Sequence, residues 1–276
     1  MIRISTPWKI IIFTILIVHT IIVMIPFSVI FFNSFKTLRE IFLRPFSLPE
    51  KWSFDNYIKA WEKAELGKAY MNSAFVTSTS VLSILFLSSM IAFVISRYDF
   101  PYRRLLYLYI ISGLALPARL AIIPIYLILK SFHLLDSLFG LIFVYSATGI
   151  PFSVFLLKHF MDMVPKEIEE SAIMDGASPW KVFTKIILPL SKPAIVVVTI
   201  VNAVGIWNDF FFPLILINSK EKETIPLAVS TFFGEYSHQW ELISTALWIA
   251  VFPMIVVFFI LSKYFISGMT QGALKG

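Results

Sequence analysis

Long apolar runs divided by short polar stretches dominate this chain. A helix that crosses a bilayer needs about 20 mainly apolar residues, because lipid offers no partner to an exposed backbone group. Six segments meet that requirement: Ile10 to Phe32, Met71 to Ser96, Leu105 to Leu129, Leu138 to Leu157, Ala194 to Ile217 and Leu242 to Leu261. The first holds no charged residue, reaches roughly 35 Å as a helix and is followed by no A-x-A cleavage pattern, so it is expected to stay in the mature protein. Six spans put both termini on one side. The pattern therefore predicts an all-α integral membrane protein with six transmembrane helices.

Basic residues in the short connections set the orientation. Arg3 and Lys9 precede the first span, and Arg97, Arg103 and Arg104 crowd the loop between the second and third. The opposite loop near Ser131 to Ser137 has only Lys130 at its edge, and Asn218 to Glu241 has two Lys against four Glu. The side with the arginines is expected to be cytoplasmic. The long loop from Asn33 to Tyr70 is too long to report topology.

Within the second span, Ser73, Thr77, Ser80, Ser83 and Ser88 form a stripe of small hydroxyl residues that lets helices pack closely. Pro117, Pro124 and Pro151 interrupt the third and fourth spans and are expected to kink them by removing backbone donors. Bent inner helices fit a pathway and an ordinary bundle alike.

The connection from Lys158 to Pro193 has a different character, that of two short helices. Pro165 suits a first turn, and Glu167, Glu169 and Glu170 follow where the N-terminal dipole favours negative charge. Ile168 and Ala172 share a face. Gly176 can adopt a left-handed cap, Ser178 can cap the next helix, Pro179 starts it, and Phe183, Ile186 and Ile187 form its apolar stripe until Pro189 stops it. Such an elbow needs something to pack against, either its own bundle or another protein.

Composition agrees with a membrane assignment and removes several chemistries. Hydrophobic residues are 58% and charged residues 14% of the 276, with mean hydropathy +0.83, where a soluble domain has roughly 25% charged. The absence of Cys removes disulfides, Cys-ligated metals and thiol nucleophiles together. His19, His133, His159 and His238 are too scattered for metal-ligand spacing, so no metal site is expected. The net charge of +6 suits loops beside anionic lipid and does not suggest a nucleic-acid partner. No phosphate-binding G-x-x-x-x-G-K-[ST] run exists, and Gly67-Lys68 is followed by Ala69, so the chain is not expected to hydrolyse ATP itself.

Glu170-Ser171-Ala172, Asp175-Gly176-Ala177, Phe183, Ile186, Leu188-Pro189 and Pro193 resemble the EAA loop of binding-protein-dependent ABC importer permeases, with Gly176 four residues beyond Ala172 and Ile186 ten beyond Gly176. Ser171 in place of the central Ala is the one departure. Trp207-Asn208-Asp209-Phe210 with Pro213 and Leu214, and the end from Gly268 to Gly276, resemble the carbohydrate branch, close to the maltose-type second permease. The similarity covers essentially the whole chain as a single transmembrane domain, 1–276, with the EAA loop at 158–193. It implies a multi-pass protein of a prokaryotic plasma membrane with cytoplasmic termini. It also implies a second permease subunit, most simply a heterodimer, two ATP-hydrolysing subunits holding ATP and Mg, and an extracytoplasmic substrate-binding protein. In that family the first EAA helix docks on the ATPase. The implied coupling residues are Glu170, Ser171, Ala172, Asp175, Gly176, Ala177, Phe183, Leu188 and Pro189, with Glu170 meeting a basic group and Gly176 permitting the bend.

Polar residues deep in the fifth span are the candidates for a substrate pathway. Asn202 and Asp209 lie roughly 12 Å and 22 Å along it on one face, with Trp207 and Asn208 beside them. Such groups bind sugar hydroxyls and pyranose faces, or hydrogen-bond to a neighbouring permease. Arg119 lies about 21 Å into the third span, near the depth of Asp209. It can pair with Asp209, face an acidic cargo, or snorkel to the interface. On the opposite side, Phe232, Phe233, Gly234 and Tyr236 are candidates for contact with the binding protein, or belong to a self-packed loop. A secondary transporter or non-catalytic bundle would lack the spaced elbow, and no inverted repeat is evident. A membrane-embedded lipid-modifying enzyme would cluster acids or histidines at the surface.

The topology is checked with single cysteines at Ser178 and Ser237 in this cysteine-free chain. An impermeant thiol reagent applied to whole cells is expected to label the second site and spare the first, and the reverse pattern overturns the orientation.

Overall fold

A computed structural model describes residues 6–233 and 239–273. Regular structure among them is entirely helical: α1 (Thr6–Asn33), α2 (Leu38–Leu43), α3 (Asp55–Lys63), α4 (Leu66–Arg97), α5 (Arg103–Ser112), α6 (Ile122–Ser131), α7 (Leu138–Asp162), α8 (Lys166–Met174), α9 (Pro179–Val182), α10 (Leu188–Leu190), α11 (Lys192–Trp207), α12 (Phe211–Leu216), α13 (Ile225–Ser230) and α14 (Trp240–Ala273). A 3-10 turn at Ala118–Ala121 leads into α6, and a π-helical turn at Phe183–Ile187 joins α9 to α10.

Among the described residues, α1, α4, α7 and the part of α14 from Trp240 to Val257 are long and apolar enough to cross a bilayer unaided. A fifth candidate is the pair Pro179–Leu190 and Lys192–Trp207, bent by 74°. The third segment expected from the sequence, Leu105 to Leu129, is not one helix. α5 ends at Ser112, and Pro117, which has no N–H to extend a helix, takes an extended backbone at φ −62° and ψ 110°. The fifth expected segment, Ala194 to Ile217, breaks between α11 and α12. Pro151, expected to interrupt the fourth, lies inside an unbroken α7, and Pro124 falls in the first turn of α6, where a missing donor matters little.

The elbow also departs from expectation at Pro189, which does not end its helix. The N–H of Leu188 reaches back five residues to the carbonyl of Phe183. The wider turn so formed relieves the clash that a proline ring makes with the preceding turn.

The chain divides into two compact units, residues 1–67 with 228–252, and residues 68–227 with 253–276. In the first, the stretch after α1 is stapled from within. Lys36 is fully buried and donates from Nζ to the carbonyls of Arg44 and Pro45 at 2.9 and 3.1 Å. Asn56 donates to the carbonyls of Ser34 and Lys36, while Thr245 on α14 donates to Ser34 as well. Phe31 packs on Trp248, and Phe35 on Trp52 and Tyr57.

The second unit has two apolar clusters. One gathers Leu129, Leu141, Tyr145, Phe212 and Leu216. The other joins Ile84, Ala92 and Phe93 of α4 to Leu157 and Met161 of α7, Val182, Phe183 and Ile187 of the elbow, and Val198 of α11. The second helix of the elbow thus packs against its own bundle. The hydroxyl stripe of α4 faces inward, with Ser73, Thr77, Ser80 and Ser88 buried. Gly149 lets α7 approach closely, since a Cβ there would lie 2.5 Å from Ile84 Cδ1 and 2.7 Å from Asn202 Oδ1.

Asp136, with its backbone in the left-handed region at φ 50°, ties the connection before α7 to the one after α12. Its carboxylate accepts the Ser219 hydroxyl, the N–H groups of Ser219 and Asn218 at 2.9 Å each, and Lys222 Nζ at 3.0 Å. These donors, Ser219 foremost, hold the carboxyl far below the usual carboxylate range against the opposing effect of burial. A depressed value favours the fold above the ordinary carboxylate pKa, and that gain is lost as pH falls below about 4. Asp136→Asn is therefore expected to unfold a few degrees lower than wild type at neutral pH in detergent, with the two proteins converging as the pH is lowered below about 4.

Candidate functional site

Two regions of the second unit carry the candidate chemistry. The elbow begins where Pro165 leads into α8 and puts three carboxylates in its first turns. Glu170 is exposed, whereas Glu169 is buried and forms an ion pair with Arg97 at the end of α4. Burial pushes the Glu169 carboxyl up, and the Arg97 charge opposes that shift. Ser171 bonds back to the Glu167 carbonyl at 2.7 Å, and Ala172 and Ala177 pack on the apolar cluster beneath. Gly176 stands at φ 81° with open space where a side chain would be, so its backbone and not its volume demands glycine. Ser178 Oγ then accepts the Lys181 N–H, which starts the second helix. Phe183 is buried against Phe93, while Asp175, Met174 and Trp180 remain exposed, as an apolar and acidic outer surface.

The second region is a cavity of about 430 Å³ between the Pro117 break, α7, α11 and the start of α12. Arg119, Asn202 and Asp209 line it together with Tyr145, Thr148 and Gly149 of α7. Asp209 sits at the break between α11 and α12 with its side chain 8% exposed. It accepts the Tyr145 hydroxyl at 2.8 Å and the N–H of Phe212 at 3.1 Å. Arg119 meets the other carboxylate oxygen only at 3.4 Å, rests 5.5 Å over the Phe211 ring, and keeps 69% of its side chain exposed. Asn202 donates to the Val198 carbonyl and to Ser153 Oγ.

Other candidates lie elsewhere. Trp207 is buried edge-on to Tyr70, and Asn208 turns back to donate to the Val204 carbonyl at 2.9 Å. Neither lines the cavity. Phe232 is fully buried, Phe233 is half exposed, and Gly234 and Tyr236 lie outside the described residues. Tyr145 and Thr148 went unnoticed in the sequence, although with Gly149 they share one helical face of an apolar span. Arg97 counted there only as a positive charge.

Residues 84–271, two thirds of the chain, match the family described as binding-protein-dependent transport system inner membrane component. The chain belongs to that family. It is thus a multi-pass permease subunit, not a catalytic one. The permease is 33% identical to the diacetylchitobiose uptake system permease protein NgcG of Streptomyces coelicolor, across 94% of this chain and 87% of that one. It is 32% identical to the melibiose/raffinose/stachyose import permease protein MelC of Bacillus subtilis, across 91% of both. The fold is shared with a bacterial ABC transporter involved in the import of the acidic polysaccharide alginate, at a TM-score of 0.83 and 23% identity, covering 96% of this chain and all of that one.

The geometry makes Tyr145, more than Arg119, the partner that holds Asp209. In double-mutant cycles against Asp209→Asn, read by unfolding of the permease in detergent, Tyr145→Phe is expected to show a coupling of about 1.5–3 kcal/mol, as for hydrogen bonds to a charged group. Arg119→Gln is expected to stay under about 1 kcal/mol, as for exposed ion pairs.

Proposed function

We propose that the permease forms half of the translocation pathway of an ABC importer for a sugar, an oligosaccharide or a sugar derivative. It works with a second permease subunit in a heterodimer, two ATPase subunits that hold ATP and Mg, and an extracytoplasmic binding protein. The observation that carries this reading is α8: a short helix braced on its own bundle that still turns Glu170, Ile173 and Met174 outward beside a glycine in the left-handed region. A braced, exposed helix is suited to receive force from a partner. The cargo class follows from the relatives named for diacetylchitobiose, melibiose, raffinose and stachyose.

In this reading the chain is one transmembrane domain with six spans, α5 and α6 together forming the third across their break. Both termini and the elbow, 158–193, are cytoplasmic. Glu170, Ser171, Ala172, Asp175, Gly176, Ala177, Phe183, Leu188 and Pro189 make or support the ATPase contact. Arg119, Asn202 and Asp209 border the pathway, while Trp207 and Asn208 support its wall. Of the opposite-loop candidates among the described residues, Phe232 is buried and Phe233 is open to the binding protein.

The test is purification of the permease with its partners. An ATP-hydrolysing subunit is expected to accompany it, and loss of that subunit from the wild type overturns the reading. Glu170→Ala removes a charge-assisted contact of about 1.5–3 kcal/mol, so ATPase docking is expected to weaken about tenfold or more, with the permease itself still folded. Gly176→Val strains the turn and is expected to do the same.

A further inference from the structure

α8 is joined by the chain to α7 through residues 163–165, and to α11 through the second half of the elbow. α4 has no such connection, yet its last turn is fixed to the same place. Ser96 Oγ donates to Asp162 at 2.6 Å, and Arg97 Nη2 donates to the Val164 carbonyl at 3.0 Å, between α7 and α8. Arg97 Nε faces the Glu169 carboxylate inside α8, and the two side chains are only 6% and 11% exposed. One turn earlier the Phe93 ring lies 5.0 Å from Phe183 of the elbow's second helix. Arg103 at the start of α5 donates to the carbonyls of Ile95 and Ser96, which stiffens the end that Arg97 grips.

The geometry points to the Arg97–Glu169 pair as the link through which displacement of α8 is passed to α4. Adjacent carboxylates on α8 then divide the work, Glu170 turned outward to the ATPase and Glu169 turned inward to α4. A buried pair suits this role. Removing one partner strands a charge, so the pair resists separation, whereas apolar contacts such as Phe93 on Phe183 tolerate sliding. Burial raises the Glu169 carboxyl, and the facing Arg97 charge opposes that shift, so each partner supports the charged form of the other. Arg97 and Glu169 are positioning residues here, with no contact to cargo or nucleotide required.

The inference rests on α8 being the coupling helix, and the experiment separates the two. Spin labels are placed in the complete transporter in proteoliposomes, and distances are measured before and after trapping with ATP and vanadate. One label pair, at Met174 and Phe139, reports α8 against the far end of α7. The other, at Met174 and Met90, reports α8 against α4. All three sites are exposed, and the chain has no native cysteine. In the wild type the first distance is expected to change and the second to stay constant, because α4 follows α8. In the double variant Arg97→Gln/Glu169→Gln, which leaves no stranded charge, both distances are expected to change by a few ångströms. The exchange Arg97→Glu/Glu169→Arg is expected to restore the constant second distance. A second distance that stays constant in the double variant, or changes equally in the wild type, overturns the link, whatever happens to stability. A first distance that never changes overturns the coupling reading, and the link with it.

Discussion

A helix that breaks away from water exposes backbone donors and acceptors that need partners within the protein, and Asp209 supplies one at the break between α11 and α12, which the proposed topology puts inside the bilayer. Its carboxylate takes the N–H of Phe212 in the first turn of α12 and the hydroxyl of Tyr145 from α7, so one side chain both caps a helix and fixes it to its neighbour. The cavity depends on that arrangement, because the break opens the space and the carboxylate keeps its wall in place. Arg119 offsets the charge without being locked by it, and its guanidinium remains available to the cavity.

The elbow solves a different problem with similar means. A connection proposed to pass force cannot be loose, and here a proline entry, a left-handed glycine, a serine cap and a π turn give it one shape. Its inner face is apolar and joined to α4, α7 and α11, and its outer face remains open. Braced on one side and exposed on the other, it has the form that the proposed coupling requires.

Much of this is legible from residue order alone. The apolar runs located α1, α4, α7 and α14, because a span that closes its own hydrogen bonds needs only length and hydropathy. The elbow could be read because its capping residues are local. The broken segments were not legible in the same way: Pro117 and Pro151 look alike in sequence, yet one stands at a break and the other inside a continuous helix. Neighbours decide that difference. Long-range partners were hidden for the same reason. Neither the 90 positions between Arg119 and Asp209 nor the 64 between Tyr145 and Asp209 reveal which of them binds the carboxylate better. Glu169 and Glu170 are chemically identical neighbours, and only the fold turns one inward.

The hydroxyl stripe on α4 has a mechanical meaning. Thr77, Ser80 and Ser88 are buried, but their oxygens have no hydrogen-bond partner among the described residues, so the middle of the stripe is held by close packing of small groups, whereas Ser73 at its start accepts the Ile225 N–H at 2.8 Å. Directional bonds resist sliding, because every ångström stretches them, while a surface of small side chains lets one helix glide past another over short distances. α4 is therefore smooth along its middle and clamped at both ends, by Ser96 and Arg97 at one and, at the other, by Asn72, which donates to the carbonyls of Glu221 and Glu223.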